Sequence, residues 1–201
     1  MIKAILFDFD GVLTIDKTGS TSILNYLASH SGINIKTLKD HYYKYNDGLL
    51  YGEYTHRDIW DNFCKDIGVK LDFSLMHESF IHTPLDNDMI SLVKELKKSY
   101  KIGMVTDNKK DRIDDIMDYF NLLSYFDVVS ISAEYKSGKD EKDIFKGTIE
   151  KLNVDYDECV FIDNSKKNLI IPQKCCMKTI LFNDEVRSIE SFRQELFNLI
   201  R

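Results

Sequence analysis

Ile5-Leu6-Phe7-Asp8-Phe9-Asp10-Gly11-Val12-Leu13-Thr14 opens the chain with an apolar run, two carboxylates one residue apart and a glycine. The apolar start reads as a buried strand. Residues two apart on a strand share a face, so Asp8 and Asp10 project together from its carboxyl end, where open α/β sheets bind ligands. Like charges held that close repel unless a cation or a proton offsets them. Magnesium fits the first remedy, being a hard cation that prefers oxygen ligands and works beside phosphate. The spacing therefore predicts a phosphate-handling site. The plainer alternative is a strand ending in an acidic turn, because Asp and Gly are ordinary turn residues.

Downstream of Pro84, apolar strand-like runs alternate with amphipathic segments, the pattern of a parallel sheet covered by helices on both faces. Met89, Leu92, Val93, Leu96 and Tyr100 recur at helical spacing, and Ile102-Gly103-Met104-Val105 reads as a strand. A helix over 111–120, a strand over 126–131, a helix over 140–152 and a strand over 159–162 follow. Then come a short helix near Asn168, a strand over 179–182 and a last helix carrying Val186, Ile189, Phe192, Leu196 and Ile200. Between the Asp motif and Pro84 there is no strand candidate. Ile23, Leu24 and Leu27 suggest a first helix, and Leu38, Tyr42 and Tyr45 a second. Thr55 and Asp58 make a capping-box pattern for a third, with an apolar face of Ile59, Trp60, Phe63, Cys64 and Ile67 and a stop at Gly68. The fold predicted is α/β: a Rossmann-like doubly wound parallel sheet from residues 1–14 and 83–201, with an all-helical subdomain inserted at 15–82.

The chain has 201 residues, 43% of them hydrophobic, enough for one substantial core with a modest insertion. A formal net charge of −6 argues against nucleic-acid or membrane binding through bulk positive charge. The pairs Lys109-Lys110 and Lys166-Lys167 are read as solvated helix starts. Cys64, Cys159, Cys175 and Cys176 lack metal-ligand spacing and are expected to be reduced thiols of a cytoplasmic protein. The five histidines show no zinc-helix spacing and are expected to be surface or satisfied side chains. The N-terminus passes straight into the Asp motif, leaving no room for a signal peptide.

Four motifs in order give the chain a resemblance to the haloacid dehalogenase-like hydrolases. The first is Asp8-Phe9-Asp10-Gly11-Val12-Leu13-Thr14. The resemblance makes Asp8 the nucleophile that forms an aspartyl-phosphate and Asp10 the general acid and then base. Dehalogenases of the family lack an Asp at the second position, so Asp10 favours phosphate chemistry over carbon–halogen cleavage. The second is Met104-Val105-Thr106-Asp107-Asn108, whose Thr106, Asp107 N–H and Asn108 would meet the phosphoryl oxygens. Asp107 stands where the family has Asn, so its carboxylate must turn away or be paired; a Thr-Asp-Asn helix cap is the plainer reading. The third is Lys139, in a segment that keeps Ile144 and Phe145 but lacks the family's prolines. The fourth is Val160-Phe161-Ile162-Asp163-Asn164, where relatives carry an acidic pair and here the second acid is Asn164.

By resemblance, magnesium would be held by Asp8, Asp10 through its backbone carbonyl, Asp163 and Asn164, more weakly for the missing charge. The inserted helices match a cap that closes over the site. His41-Tyr42-Tyr43-Lys44-Tyr45 either faces the substrate or packs Tyr42 and Tyr45 inward with Lys44 solvated. The function implied is a magnesium-dependent phosphatase of a small phosphate monoester, acting alone or as a weak homodimer, without nucleic acid or membrane. A phosphomutase of the same family, or a non-catalytic descendant that binds a phosphate ligand or a protein, is the alternative.

Overall fold

The computed structural model describes residues 1–200. Strand β1 (Ala4–Phe7) is buried at every position and lies between β2 (Lys101–Thr106) and β4 (Cys159–Asp163). The strands β3 (Val128–Ile131) and β5 (Lys178–Leu181) complete a sheet of order β3-β2-β1-β4-β5, parallel throughout. A parallel sheet buried on both faces needs continuous apolar strands, which AILF and CVFID supply. Ile5 and Phe7 point into one apolar cluster and Ala4 and Leu6 into the other, as the two-residue period of a strand requires.

Register brings the chemistry to one edge. Phe7 pairs with Met104 and Ile162, so Asp8, Thr106 and Asp163 emerge at the carboxyl ends of three adjacent strands. The order turns around β1, which makes this edge the crevice where open α/β sheets take ligands.

Between β1 and β2 run α1 (Gly19–Ser31), α2 (Ile35–Leu50), α3 (His56–Ile67) and α4 (Ser74–Ile81), followed by α5 (Asn87–Leu96). The capping box on α3 forms as the sequence predicts, with Thr55 and Asp58 bonded reciprocally and Gly68 left-handed at the C-cap. The chain leaves and re-enters the sheet layer side by side. Ile15 N–H donates to the Pro84 carbonyl at 2.8 Å and Asp86 N–H to the Leu13 carbonyl at 2.9 Å. Arg187 clamps this neck, donating to the carbonyls of Gly11 (2.9 Å) and Val12 (3.1 Å) and to Asp86 (2.6 Å).

The inserted helices share one buried cluster with a face of the sheet. Ile23, Leu24 and Leu27 of α1, Tyr42 of α2, Phe63 of α3 and Phe80 of α4 are continuous with Phe9 and with Ile113 and Ile116 of α6 (Lys110–Tyr119). Each such fully buried large side chain contributes about 1.5–3 kcal/mol relative to exposure. On the other face pack Ile144, Phe145, Ile149 and Leu152 of a later helix.

That later helix corrects a boundary. After the short α7 (Ser132–Tyr135), which is too brief to show a period, α8 spans Asp143–Leu152 and not 140–152. Residues 139–142 form a turn, with Glu141 N–H bonded to the Gly138 carbonyl at 3.1 Å. After α9 (Ile170–Lys174), α10 covers Ile189–Ile200, which leaves Val186 outside it and 69% exposed. Strand β3 is likewise shorter than the run over 126–131, because Phe126 caps a 3-10 turn before the ladder starts. The cysteines are free thiols, and among the described residues no helix is long and apolar enough to cross a membrane.

Candidate active site

Asp8 follows directly on β1, its N–H bonded to the Ile162 carbonyl at 2.9 Å. Its Oδ1 accepts the Phe9 N–H at 2.7 Å and the Lys139 ammonium at 2.7 Å. Among the described residues Oδ2 takes no hydrogen bond, and Asp8 lines a cavity of about 640 Å³. One oxygen is thus fixed and the other is available.

Lys139 is 2% exposed and bridges Asp8 to Asp163 Oδ2 at 2.7 Å. The remaining Asp163 acceptors take Ser165 N–H (2.7 Å) and the Asn168 amide (3.1 and 3.2 Å). Burial, joined by the Asp163 charge, pushes the Asp8 carboxyl well above the usual range against the pull of Lys139. Burial works against the Lys139 charge too, but Asp8 and Asp163 outweigh it and hold the ammonium above its ordinary value. Asp107 does not meet the cavity charge unpaired: its Oδ1 accepts Lys139 N–H at 2.9 Å and so fixes the loop that carries the lysine. Burial raises its carboxyl, with Lys139 opposing.

Asp10 lies in a different setting. Both nitrogens of the Arg112 fork reach its two oxygens at 2.9 Å, and the Asn108 amide donates to Oδ2 at 2.6 Å. Arg112 is wholly buried on α6 and also donates to Asn108 Oδ1 (3.0 Å) and Thr83 (3.2 Å). Gly19 makes this approach possible, because a Cβ there would stand 2.4 Å from Arg112 Nη1 and 3.0 Å from Asp10 Oδ2.

Thus Asp8, Lys139 and Asp163 form one array and Asp10, Asn108 and Arg112 another. Thr106, 1% exposed, lines the cavity and accepts from the Asn108 amide at 3.2 Å. Asn164 is half-buried, with its amide directed to Asp184 at 3.0 Å. It packs where a Cβ on Gly11 would sit, and Gly11 has a left-handed φ of +81°.

Lys109 corrects the sequence reading. It is not a solvated helix start; it is 4% exposed, lines the cavity and donates from Nζ to Ser20 at 3.0 Å. Lys110, Lys166 and Lys167 are exposed as expected. In the aromatic stretch, Tyr42 packs inward with its hydroxyl on His56 (2.8 Å), and Tyr45 and Lys44 bond Asp66. Tyr43 alone of the five lines the cavity. His56 is a satisfied buried histidine between Tyr42 and Asp111, its pKa lowered by burial.

Sequence reasoning missed Arg112, Ser20 and Asp184. Arg112 had a signal: it shares a helix face with Ile116 four residues on, so a cation fell on the apolar stripe. Ser20 and Asp184 had none, since they come from distant loops and helix ends.

A family model for haloacid dehalogenase-like hydrolases matches residues 2–170. The chain belongs to that family. The match takes in both Asp residues, Thr106, Lys139 and Asp163. Among solved structures, a haloacid dehalogenase-like family hydrolase of Porphyromonas gingivalis is 18% identical, with 100% of this chain and 98% of that chain covered, at a TM-score of 0.76. A family enzyme of Bacteroides thetaiotaomicron, solved as a magnesium complex, is 19% identical over 96% of this chain and 98% of its own, at 0.78. The same enzyme is also known with magnesium and inorganic phosphate. An L-2-haloacid dehalogenase is 16% identical over 89% and 83%, at 0.66. These likenesses show the fold. No curated protein matches the chain.

The Bacteroides enzyme was solved with magnesium, and the donor chemistry of this chain fits a hard cation. The groups around Asp8 include the carboxylate oxygens of Asp163 and the cavity-lining Asn164 and Asp184, oxygen donors of the kind a hard cation takes. Among the described residues no three Asp, Glu, His or Cys side chains converge on one point. The available donors are the Asp8 carboxylate and the cavity-lining Asn164 and Asp184, because the Asp163 oxygens are taken by Lys139, Ser165 and Asn168.

Proposed function

We propose that this hydrolase is a magnesium-dependent phosphatase, cytoplasmic, that cleaves a small phosphate monoester through an aspartyl-phosphate on Asp8. The observation that carries this reading is the asymmetry of Asp8. One carboxylate oxygen is pinned by Phe9 N–H and Lys139, while the other faces a cavity that has room for a small ester. A pinned carboxylate is an oriented nucleophile, which is the larger part of what phosphoryl transfer asks of a protein.

Asp8 Oδ2 attacks phosphorus, and the bond to the ester oxygen breaks. Lys139 neutralises charge that builds on the carboxylate and phosphoryl oxygens, in a setting dry enough for the effect to be large. The Thr106 hydroxyl and neighbouring N–H groups meet the phosphoryl oxygens. Asp10 serves the leaving oxygen and then the hydrolytic water. Both its oxygens are occupied by donors, so delivering a proton requires one to be released from Arg112 or Asn108. Magnesium would be held by the Asp8 oxygen that does not attack, the Asp10 carbonyl, Asn164 and Asp184, with Asp163 behind them, and would add positive charge at the phosphoryl group. Helices α1–α4 act as a cap, contributing Ser20, Tyr43 and Asn46 to the cavity wall. Asp10 is the feature that favours phosphate over halide chemistry.

Phosphate release from a panel of sugar phosphates, nucleotides and short-chain phosphate esters with magnesium tests the proposal. Turnover with at least one ester, lost on adding a chelator, is the expected result; none from any ester would overturn it.

A further inference from the structure

The charge on the cavity wall is uneven in a way that hydrolysis of a simple ester leaves unexplained. Every acid on that wall has a partner. Asp8 has Lys139, Asp10 has Arg112, Asp107 has the Lys139 N–H, and Asp184 has Asn164 and Lys17. The cations are not balanced in return: among the described residues no carboxylate lies within ion-pairing distance of Lys109, Lys166 or Lys167.

Lys109 is the telling one. Lys166 and Lys167 are exposed, and water solvates them. Lys109 is buried, and an ammonium removed from water is retained at a cost unless an anion meets it. The acids closest to it in the network are engaged elsewhere, Asp10 by Arg112 and Asn108, and Asp111 by His56. An ammonium carries three donors, and one is used on Ser20 at 3.0 Å. Ser20 in turn donates to Asn46 at 3.2 Å, and the Tyr42 ring lies 5.8 Å from the ammonium. Lys109, Ser20 and Asn46 all line the cavity that holds Asp8. Burial, with the Arg112 charge nearby, draws the Lys109 pKa down to about 8, and the more distant Asp10 and Asp111 offset only part of it.

We propose that Lys109, with Ser20 and Asn46, forms a second anion subsite in this cavity, so that the substrate carries a carboxylate or a further phosphate besides the phosphoryl group attacked by Asp8. The inference rests on the phosphatase reading and narrows it to esters with two anionic ends. The two ends divide the labour. The phosphoryl group meets Lys139 and Asp8, and the remote anion meets Lys109 at the junction of α1, α2 and the start of α6, so binding the substrate also ties the inserted helices to the sheet.

The test is calorimetry with the Asp8→Asn protein and magnesium, using three probes: ethyl phosphate, phosphoglycolate and propanediol bisphosphate. The expected result is binding of phosphoglycolate or of the bisphosphate at least about tenfold tighter than ethyl phosphate, as a charge-assisted contact gives. Which of the two gains identifies the remote group. In Asp8→Asn/Lys109→Met the ratio of affinities falls to near one, and Ser20→Ala, which leaves the lysine in place, lowers it in part. Equal affinities for all three probes, or a preference that survives Lys109→Met, would overturn the subsite and leave the phosphatase reading standing. No binding of any probe would overturn both.

Discussion

Arg112 of α6 grips both oxygens of Asp10 at 2.9 Å, in a pair closed off from solvent between the helix and the turn after β1. Its partner Asp10 is 8% exposed and touches solvent only at the cavity wall, so water replaces the guanidinium poorly if that is lost. Removing one member of a buried pair leaves an uncompensated charge, so Arg112→Met should destabilise the protein by about 3–5 kcal/mol. Adding Asp10→Asn to Arg112→Met should recover part of that loss. Urea denaturation of the two single variants and the double checks the coupling; simple additivity would mean that the pair is not a unit.

Gly19→Ala should act on the same pair from the other side. Its Cβ would stand 2.4 Å from Arg112 Nη1, inside any tolerable contact, so the fork must shift off Asp10. Overpacking of this kind costs about 1–3 kcal/mol. The loss should shrink in an Arg112→Met background, where the obstructed nitrogen is gone and only the 3.0 Å approach to Asp10 Oδ2 remains, and the same denaturation series measures it.

These two predictions concern residues of unequal visibility in the sequence. The sheet was legible because its strands are uninterrupted apolar runs between turn residues, and the period of two holds through β1, β2 and β4. Three of the four motifs sit at strand ends, so reading the strands also located Asp8, Thr106 and Asp163, while Lys139 lies in a turn beyond β3 and α7. Asn108 was expected at the phosphate; that its amide also donates to Asp10 while Arg112 holds its carbonyl oxygen could not be read from the sequence, because Arg112 reaches it from the helix that follows. Lys109 was misread because a Lys-Lys pair looks solvated in one dimension; only the packing of Ser20 and Tyr42 over it makes it buried. Long-range partners of this kind leave no local period or spacing to read.

Lys109 also makes a pH-dependent prediction about stability. Folding lowers its pKa from 10.5 to about 8, so the native chain loses this proton more readily than the unfolded chain. The resulting penalty is full below pH 8, shrinks as the pH rises, and is gone above the unfolded value near 10.5. Lys109→Met should therefore stabilise the protein near neutrality, on the order of 2–3 kcal/mol. The gain should narrow steadily in melts taken from pH 8 towards 10.5. A gain independent of pH would assign the effect to packing alone.

Asn164→Asp should have opposite effects with and without magnesium. The amide that donates to Asp184 at 3.0 Å would become a second carboxylate against that acid. Without metal the loss of this hydrogen bond should cost about 1 kcal/mol or more. With metal the added charge should tighten binding and reverse the order of melting temperatures. Thermal melts over a magnesium titration check both, and no change in metal affinity would remove Asn164 from the ligand set.

The account turns on Asp8 as the atom that takes the phosphoryl group. Incubating the enzyme with a phosphoryl-labelled ester, quenching in acid during turnover and mapping the label by mass spectrometry tests that most directly. The label is predicted on the peptide that contains Asp8, with both label and phosphate release absent in Asp8→Asn. Steady phosphate release by Asp8→Asn, or a wild-type enzyme that turns over without label on Asp8, would contradict it.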